Sequence, residues 1–321
     1  MAHALSLPHQ LLVVINVQNE SADMNTDEFV RLNESLGHNI IRTQNYAWIL
    51  RGDKSALSLP TLEDVYPSKQ ELNKLFGLGV KAVFFKTNLP AKNCFEYVFS
   101  GEEYELNSFD SKIRNQIRKG LKDCTISEAT ENDMVENGFL INLQVLKKQH
   151  REVQYLDNKL KWKKYVATLM QHEDVFIKGA FVNSALIAYT IFLKVHEKYY
   201  IYHPFMDKKY SNSCPMNAII YSFINEVLER ERVIDISYGL SSYSEKHGLD
   251  KFKKGMLFKE SQCTRVVAVN GILGVLINRK MHKLIKILVK INLVSEARLN
   301  QFCYLLDNKN ILNEYLSFHM G

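Results

Sequence analysis

Apolar and polar positions along the chain fall into runs of strand period and helix period that group it into three blocks. Up to about residue 105, short apolar runs, "LLVVINV", "IIRTQNYAWILRG" and "KAVFFKTN", have the length and β-branched content of strands. Between the last two lies "SKQELNKLFGLG", a helical pattern with Ser68 placed to cap its start and Gly77 or Gly79 its end. The second block, 106–270, opens on helix-period segments: "SKIRNQIRKGLKD", "ENDMVENGFLINLQVLKKQH" and "NKLKWKKYVATLMQ". The period then shortens, and "DVFIKGAFV", "ALIAYTIFLKVH" and "YYIYHPFM", punctuated by "NS" and "EK", read as consecutive antiparallel strands. A helix, "PMNAIIYSFINEVLERE", follows with Ile219, Phe223 and Val227 four apart, and "VIDISYG" closes the unit as a strand. A strand reached through a helical crossover is expected to lie parallel to the strand before it. The third block, 271–321, reads as helical.

This pattern predicts an α/β (α+β) protein: a smaller N-terminal α/β lobe, a larger mixed and mostly antiparallel sheet flanked by helices, and a C-terminal helical segment. A chain of 321 residues can hold two such cores, and 46% hydrophobic with 24% charged residues is a globular composition. A formal charge of +6 favours anionic partners without naming one. Cys94, Cys124, Cys214, Cys263 and Cys303 are scattered, odd in number and without a CxxC spacing, which points to a reducing compartment and away from a structural zinc site. The start has neither a basic leader nor a small-residue cleavage site, and no apolar run reaches the roughly 18 residues of a spanning helix. The expected location is the cytoplasm.

Two segments carry candidate chemistry. In "SKIRNQIRKGLK", Ile113, Ile117 and Leu121 repeat every fourth residue, and Arg114, Arg118 and Lys122 repeat one position later. Successive helical residues turn by about 100°, so these form adjacent apolar and cationic stripes. The cationic stripe is either a solvated face or a cradle for phosphates and carboxylates. In "YGLSSYSEKHGLDKFKKGM", a strand end runs through a polar loop into Phe252 and Lys253.

The strand and helix order resembles the GNAT superfamily of acyltransferases. The two segments resemble the opening and closing signatures of Fem-type peptidoglycan aminoacyltransferases and of related acyltransferases from surface-polysaccharide clusters. The resemblance covers about residues 106–270. It implies direct attack by an amine on an activated acyl group, with no metal and no covalent intermediate. Acyl-CoA is the expected donor and aminoacyl-tRNA the alternative. The acceptor would be an amino sugar or a cell-envelope precursor, and a binding protein that keeps the fold without catalysis is the remaining reading. In GNAT enzymes the donor pyrophosphate sits on the helix that begins here at "KKYSNSCPMNAI", which designates Ser211, Asn212, Ser213, Cys214, Met216 and Asn217, with Ser213 as candidate N-cap. The family's glycine-rich pattern is absent from that segment. Lys253 is the expected oxyanion-stabilising residue in the Gly-Leu-x-x-Phe-Lys loop, Phe252 its neighbour or a core anchor, and Tyr238 and His203 the candidate proton donors. No Ser-His-Asp arrangement, His-rich cluster or Walker loop competes. Within 271–292, Arg279, Lys283, Lys286 and Lys290 alternate with apolar residues, so the segment either packs on its own domain or lies on an anionic membrane.

Overall fold

The computed structural model describes residues 23–149, 153, 155–241, 247–290 and 296–320. The run "LLVVINV" lies outside the described residues. The first lobe begins with α1 (Thr26–Ser35), whose N-cap Asn25 forms a capping box with Glu28. The run 40–52 is two strands rather than one, β1 (Asn39–Arg42) and β2 (Ala47–Leu50), paired as a hairpin and followed by β3 (Ser55–Leu59). Helix α2 (Lys69–Gly77) has Ser68 as its N-cap, with Glu71 completing a capping box. Strands β4 (Ala82–Thr87) and β5 (Cys94–Gly101) end the lobe.

Helix α3 (Ser111–Asp123) is capped by Asp110 and leads to β6 (Thr125–Glu128). Short α4 (Glu131–Asp133), a π-helical stretch at Met134–Gly138 and α5 (Phe139–Gln149) follow in unbroken succession. After α6 (Lys159–Leu169), the meander β7 (Val175–Val182), β8 (Ala185–Val195) and β9 (Lys198–Met206) forms as expected. Asn183 and Ser184 both have positive φ (49° and 64°), as the tight turn between β7 and β8 requires. Helix α7 (Pro215–Leu228) then crosses over to β10 (Ile234–Leu240), which pairs parallel to β9. The loop expected around Phe252 is a helix, α8 (His247–Gly255), and β11 (Lys259–Val269) follows it. The chain ends in α9 (Gly271–Leu276), α10 (Arg279–Lys290) and α11 (Glu296–Met320).

Among the described residues the strands join in one sheet, ordered β1-β2-β3-β4-β11-β5-β10-β9-β8-β7-β6. Strand β5 lies between β10 and β11, and β11 pairs with β5 through Lys259–Cys263 and with β4 through Thr264–Val269. A strand that precedes residue 105 is thus interior to the larger lobe's sheet. At this junction the buried Glu96 meets Lys198 at 2.8 Å and Lys86 at 3.2 Å, and Lys86 also meets Asp64 at 3.0 Å. Burial opposes ionisation of Glu96, but the two lysines hold its carboxyl below the ordinary range. Cys94 and Cys263 are directly opposed across β5 and β11, Sγ to Sγ 3.0 Å. They are scattered in sequence and adjacent in space.

Ile113 and Ile117 of α3 pack with Ile219 and Phe223 of α7 in one core, where Phe223 stacks on Phe192 at 3.6 Å. A second core gathers Ile141, Trp162, Tyr165 and Val166 with Tyr189 and Ile191 of β8. The first lobe's core joins Leu72 and Leu75 of α2 to Val83, Phe85 and Val266, closed by Tyr315 of α11, which donates to the Pro67 carbonyl at 2.8 Å.

Candidate active site

Strands β9 and β10 pair only at Lys198–Tyr200 against Asp235–Ser237, although β9 runs on to Met206 and β10 to Leu240. Beyond those three pairs each follows its other neighbour, which opens a crevice in the sheet. Both strands carry an irregularity there. On β9 the register slips opposite Thr190, and His203 takes φ +49°. On β10 a bulge lies between Ser237 and Leu240, and Gly239 takes φ +80°, a conformation that costs a glycine little.

Lys253 reaches the end of β10 from α8. It is 3% exposed, and its Nζ donates to the Leu240 carbonyl at 3.4 Å. The ammonium lies 4.6 Å from the centre of the Tyr97 ring and 5.1 Å from that of Tyr238. Burial lowers the Lys253 pKa to about 8, with Asp250 opposing the shift and Arg265 adding to it. At neutral pH the group is mostly an ammonium, held where an incoming negative charge would meet little competing water. The neighbouring Lys254 is half exposed and paired to Glu260 at 2.7 Å. Tyr238 is buried, and burial pushes its hydroxyl pKa up, so it keeps its proton. Tyr97 donates to Glu260 at 3.2 Å, while Oδ1 of Asp250 is buried and has no hydrogen-bond partner among the described residues. The sequence offered no sign of Tyr97, Glu260 or Arg265. Asp250 stands in the stretch that contains Lys253, three residues earlier, which is one helical turn.

Phe252 is half buried, edge-on to Tyr238 at 6.1 Å. Phe252→Ala is therefore expected to cost about 1–2 kcal/mol, less than the 3–5 of a fully buried ring. A urea-midpoint comparison measures it.

The two sequence signatures meet in space. A Cβ on Gly255 would lie 2.9 Å from Ile113 Cδ1, and one on Gly120 would lie 2.6 Å from the Cys214 carbonyl oxygen. Gly120 takes the buried position expected for Leu121, which is exposed, because α7 comes too close to α3 there for a side chain. Arg118 and Lys122 are exposed, whereas Arg114 is half buried and donates to the Phe109 carbonyl.

Before α7, Lys208–Ser213 form a 3-10 turn. The N-cap is Cys214 in the left-handed conformation, not Ser213, and it makes no side-chain capping bond. Ser211 and Asn212 are exposed and Ser213 half buried. Met216 and Asn217 are buried, and Asn217 donates to Met256 Sδ at 3.4 Å, so both face inward. A charge placed at Met216 or Asn217 would disturb the core rather than report on an anion outside it. Burial raises the Cys214 thiol pKa, with Lys119 opposing, which leaves a poor nucleophile.

His203 lies apart from this cluster. Its Nε2 is 3.4 Å from the Tyr155 hydroxyl, and its ring sits among Tyr155, Tyr165, Tyr202 and Phe205, which pack on the other core. Where Leu240 lies, a cleft of about 210 Å³ opens between the lobes, lined also by Leu57, Ser58, Phe84, Lys86 and Arg265. The Ser58 hydroxyl there is buried with no hydrogen-bond partner among the described residues, and Arg265 donates to the Ser241 carbonyl at 2.8 Å.

No protein-family model and no curated protein sequence matches the chain. Solved structures do. The crystal structure of FemX matches at 9% identity with a TM-score of 0.50, over 74% of this chain and 90% of that one. L-PGS from Bacillus licheniformis matches at 10% identity and a TM-score of 0.48, over 78% and 93%. A tandem GNAT protein from the clavulanic acid biosynthesis pathway matches at 9% and 0.43, over 72% and 81%. At these identities the likeness speaks for the fold, and FemX carries it. The chain shares the fold of the FemX structure, a mixed and mostly antiparallel sheet flanked by helices.

Proposed function

We propose that the protein is an N-acyltransferase that moves an acyl group from acyl-CoA to the amine of an amino sugar or cell-envelope precursor. The observation that carries the reading is the buried Lys253 ammonium, held beside the Tyr97 and Tyr238 rings at the bulged end of β10. When the acceptor nitrogen attacks the thioester carbonyl, negative charge grows on the carbonyl oxygen, and a cation fixed beforehand stabilises that state more than the ground state. The C–S bond then breaks. The Tyr238 hydroxyl gives its proton to the departing thiolate and regains one from the new amide nitrogen. The donor's pyrophosphate would lie at the uncapped start of α7, near Lys119 of α3, with the exposed Arg118 and Lys122 on the outer side of that helix adding longer-range attraction. The acceptor would approach through the cleft beside Leu240 and Arg265.

The unusual turn before α7 supports a second donor, aminoacyl-tRNA, since it lacks the glycine-rich loop. The cytoplasm is the proposed place of work. Among the described residues no helix is long and apolar enough to cross a membrane.

Transfer of labelled acyl groups from acetyl-CoA, longer acyl-CoAs and aminoacyl-tRNA to amine acceptors tests the reading. Product from either donor supports transfer, and the donor that also raises the melting temperature is the natural one. Binding without product from any donor would leave a non-catalytic protein. Arg118→Ala with Lys122→Ala is expected to change stability by less than about 0.5 kcal/mol, since both side chains are exposed. The same pair should weaken donor binding measurably by calorimetry, and more so at low salt.

A further inference from the structure

Helices α9 and α10 form a surface that the acyl-transfer reading does not use. From Gly271 to Lys290 there is no acidic residue, but there are Arg279, Lys280, Lys283, Lys286 and Lys290. All five cations are exposed, and among the described residues none of them is in an ion pair. Large apolar side chains stand out with them: Val275 is 74% exposed, Leu276 47%, Leu284 47% and Ile287 56%.

The opposite face of α10 is occupied. Met281, His282, Ile285, Leu288 and Val289 are half buried, and His282 stacks on Phe302 of α11 at 6.4 Å and lies 3.2 Å from Cys303 Sγ. Lys309 of α11 donates to the Gly274 and Ile277 carbonyls, which holds α9 in place. The exposed leucine and isoleucine are therefore on the outward side of a docked helix. On a helical wheel Lys283, Ile287, Lys280 and Leu284 alternate in that order within about 100° of arc.

We propose that this outward face of α9 and α10 docks the protein on an anionic lipid bilayer. The cations supply attraction to acidic headgroups, about fivefold in affinity for each one near the surface. The aliphatic side chains supply what headgroup attraction alone does not, insertion at the boundary between headgroups and acyl chains. An RNA partner would satisfy the cations and leave Val275, Leu276, Leu284 and Ile287 in water, so the apolar residues decide between the two. Docked along its length, α10 would lie in the membrane plane over about 18 Å.

Sedimentation of the full chain with vesicles tests the proposal. Binding is expected to be at least about tenfold tighter to vesicles of two parts phosphatidylcholine and one part phosphatidylglycerol than to phosphatidylcholine alone. It should weaken as salt is raised from about 0.1 to 0.5 M. Leu284→Ser with Ile287→Ser should lower the affinity about tenfold or more. Lys280→Glu with Lys283→Glu should abolish binding. All four side chains are exposed, so circular dichroism and melting temperature should not change. Equal or absent binding to the two vesicle types overturns the proposal. So does tight binding of a structured RNA that is indifferent to the Leu284 and Ile287 changes, if vesicle binding is indifferent to them as well.

Discussion

Lys253→Met is expected to lower single-turnover acyl transfer by about a hundredfold or more, the loss that follows removal of one oxyanion-type contact. The folded protein should meanwhile become more stable near neutral pH. Its pKa is about 8 in the folded protein against the ordinary lysine value of 10.5. Between those values the unfolded chain binds the extra proton, so this group's contribution to stability rises with pH across that window. Below pH 8 the full penalty of the buried charge is present. Replacing the ammonium by a thioether of similar length should therefore add up to about 3 kcal/mol at pH 7 and little near pH 10.5. Chemical denaturation of both proteins at the two pH values measures it. A gain in stability with a loss of activity is the mark of a charge kept for function at a cost to the fold. Lys254→Met is the control, because Lys254 is exposed and its neighbour is Glu260, so both effects should be small.

Gly120→Ala should act in the opposite direction to ordinary helix propensity. In an open helical position the change stabilises by about 0.5–1 kcal/mol. At Gly120 the new Cβ would sit 2.6 Å from the Cys214 carbonyl oxygen and 2.8 Å from Ala218 Cβ, and a backbone oxygen cannot swing aside. Helices α3 and α7 must separate, and the expected net loss is about 2 kcal/mol. Because the contact is at the first turn of α7, donor affinity should fall with it. Gly77→Ala, where nothing lies within 4 Å, serves as the comparison and should be neutral or slightly stabilising. Thermal melts and donor titration of the two variants separate a general cost of alanine from a clash at this crossing.

The sequence made α2, α3, α7, the β7–β9 meander and β10 legible, because each has a clear period and turn or cap residues at its ends. Strand β11 was not, since Lys259–Gln262 are exposed and polar and only the later half is buried. The pairing of β5 with β10 and β11 joins residues more than a hundred positions apart and leaves no local mark. The weave of the two lobes followed from neither. Phe252, Lys253 and Lys254 show the same limit at single residues. The motif draws attention to the stretch, but successive helical positions differ by about 100°, and only packing against Tyr97 and Tyr238 decides that Lys253 is the one enclosed. Helix α8 begins at His247, so Gly248 and Leu249, which read as part of a loop, lie in its first turn. His203 illustrates the converse, a residue placed at the correct end of its strand whose side chain joins the tyrosines of the other core.

The rate of single-turnover acyl transfer as a function of pH tests the central claim most directly, that the Lys253 ammonium serves the reaction. The wild-type rate should fall with unit slope above about pH 8, where Lys253 loses its proton, and that alkaline limb should be missing from the residual activity of Lys253→Met. A wild-type rate that passes through pH 8 without a break, or a limb that persists unchanged in the variant, would contradict it.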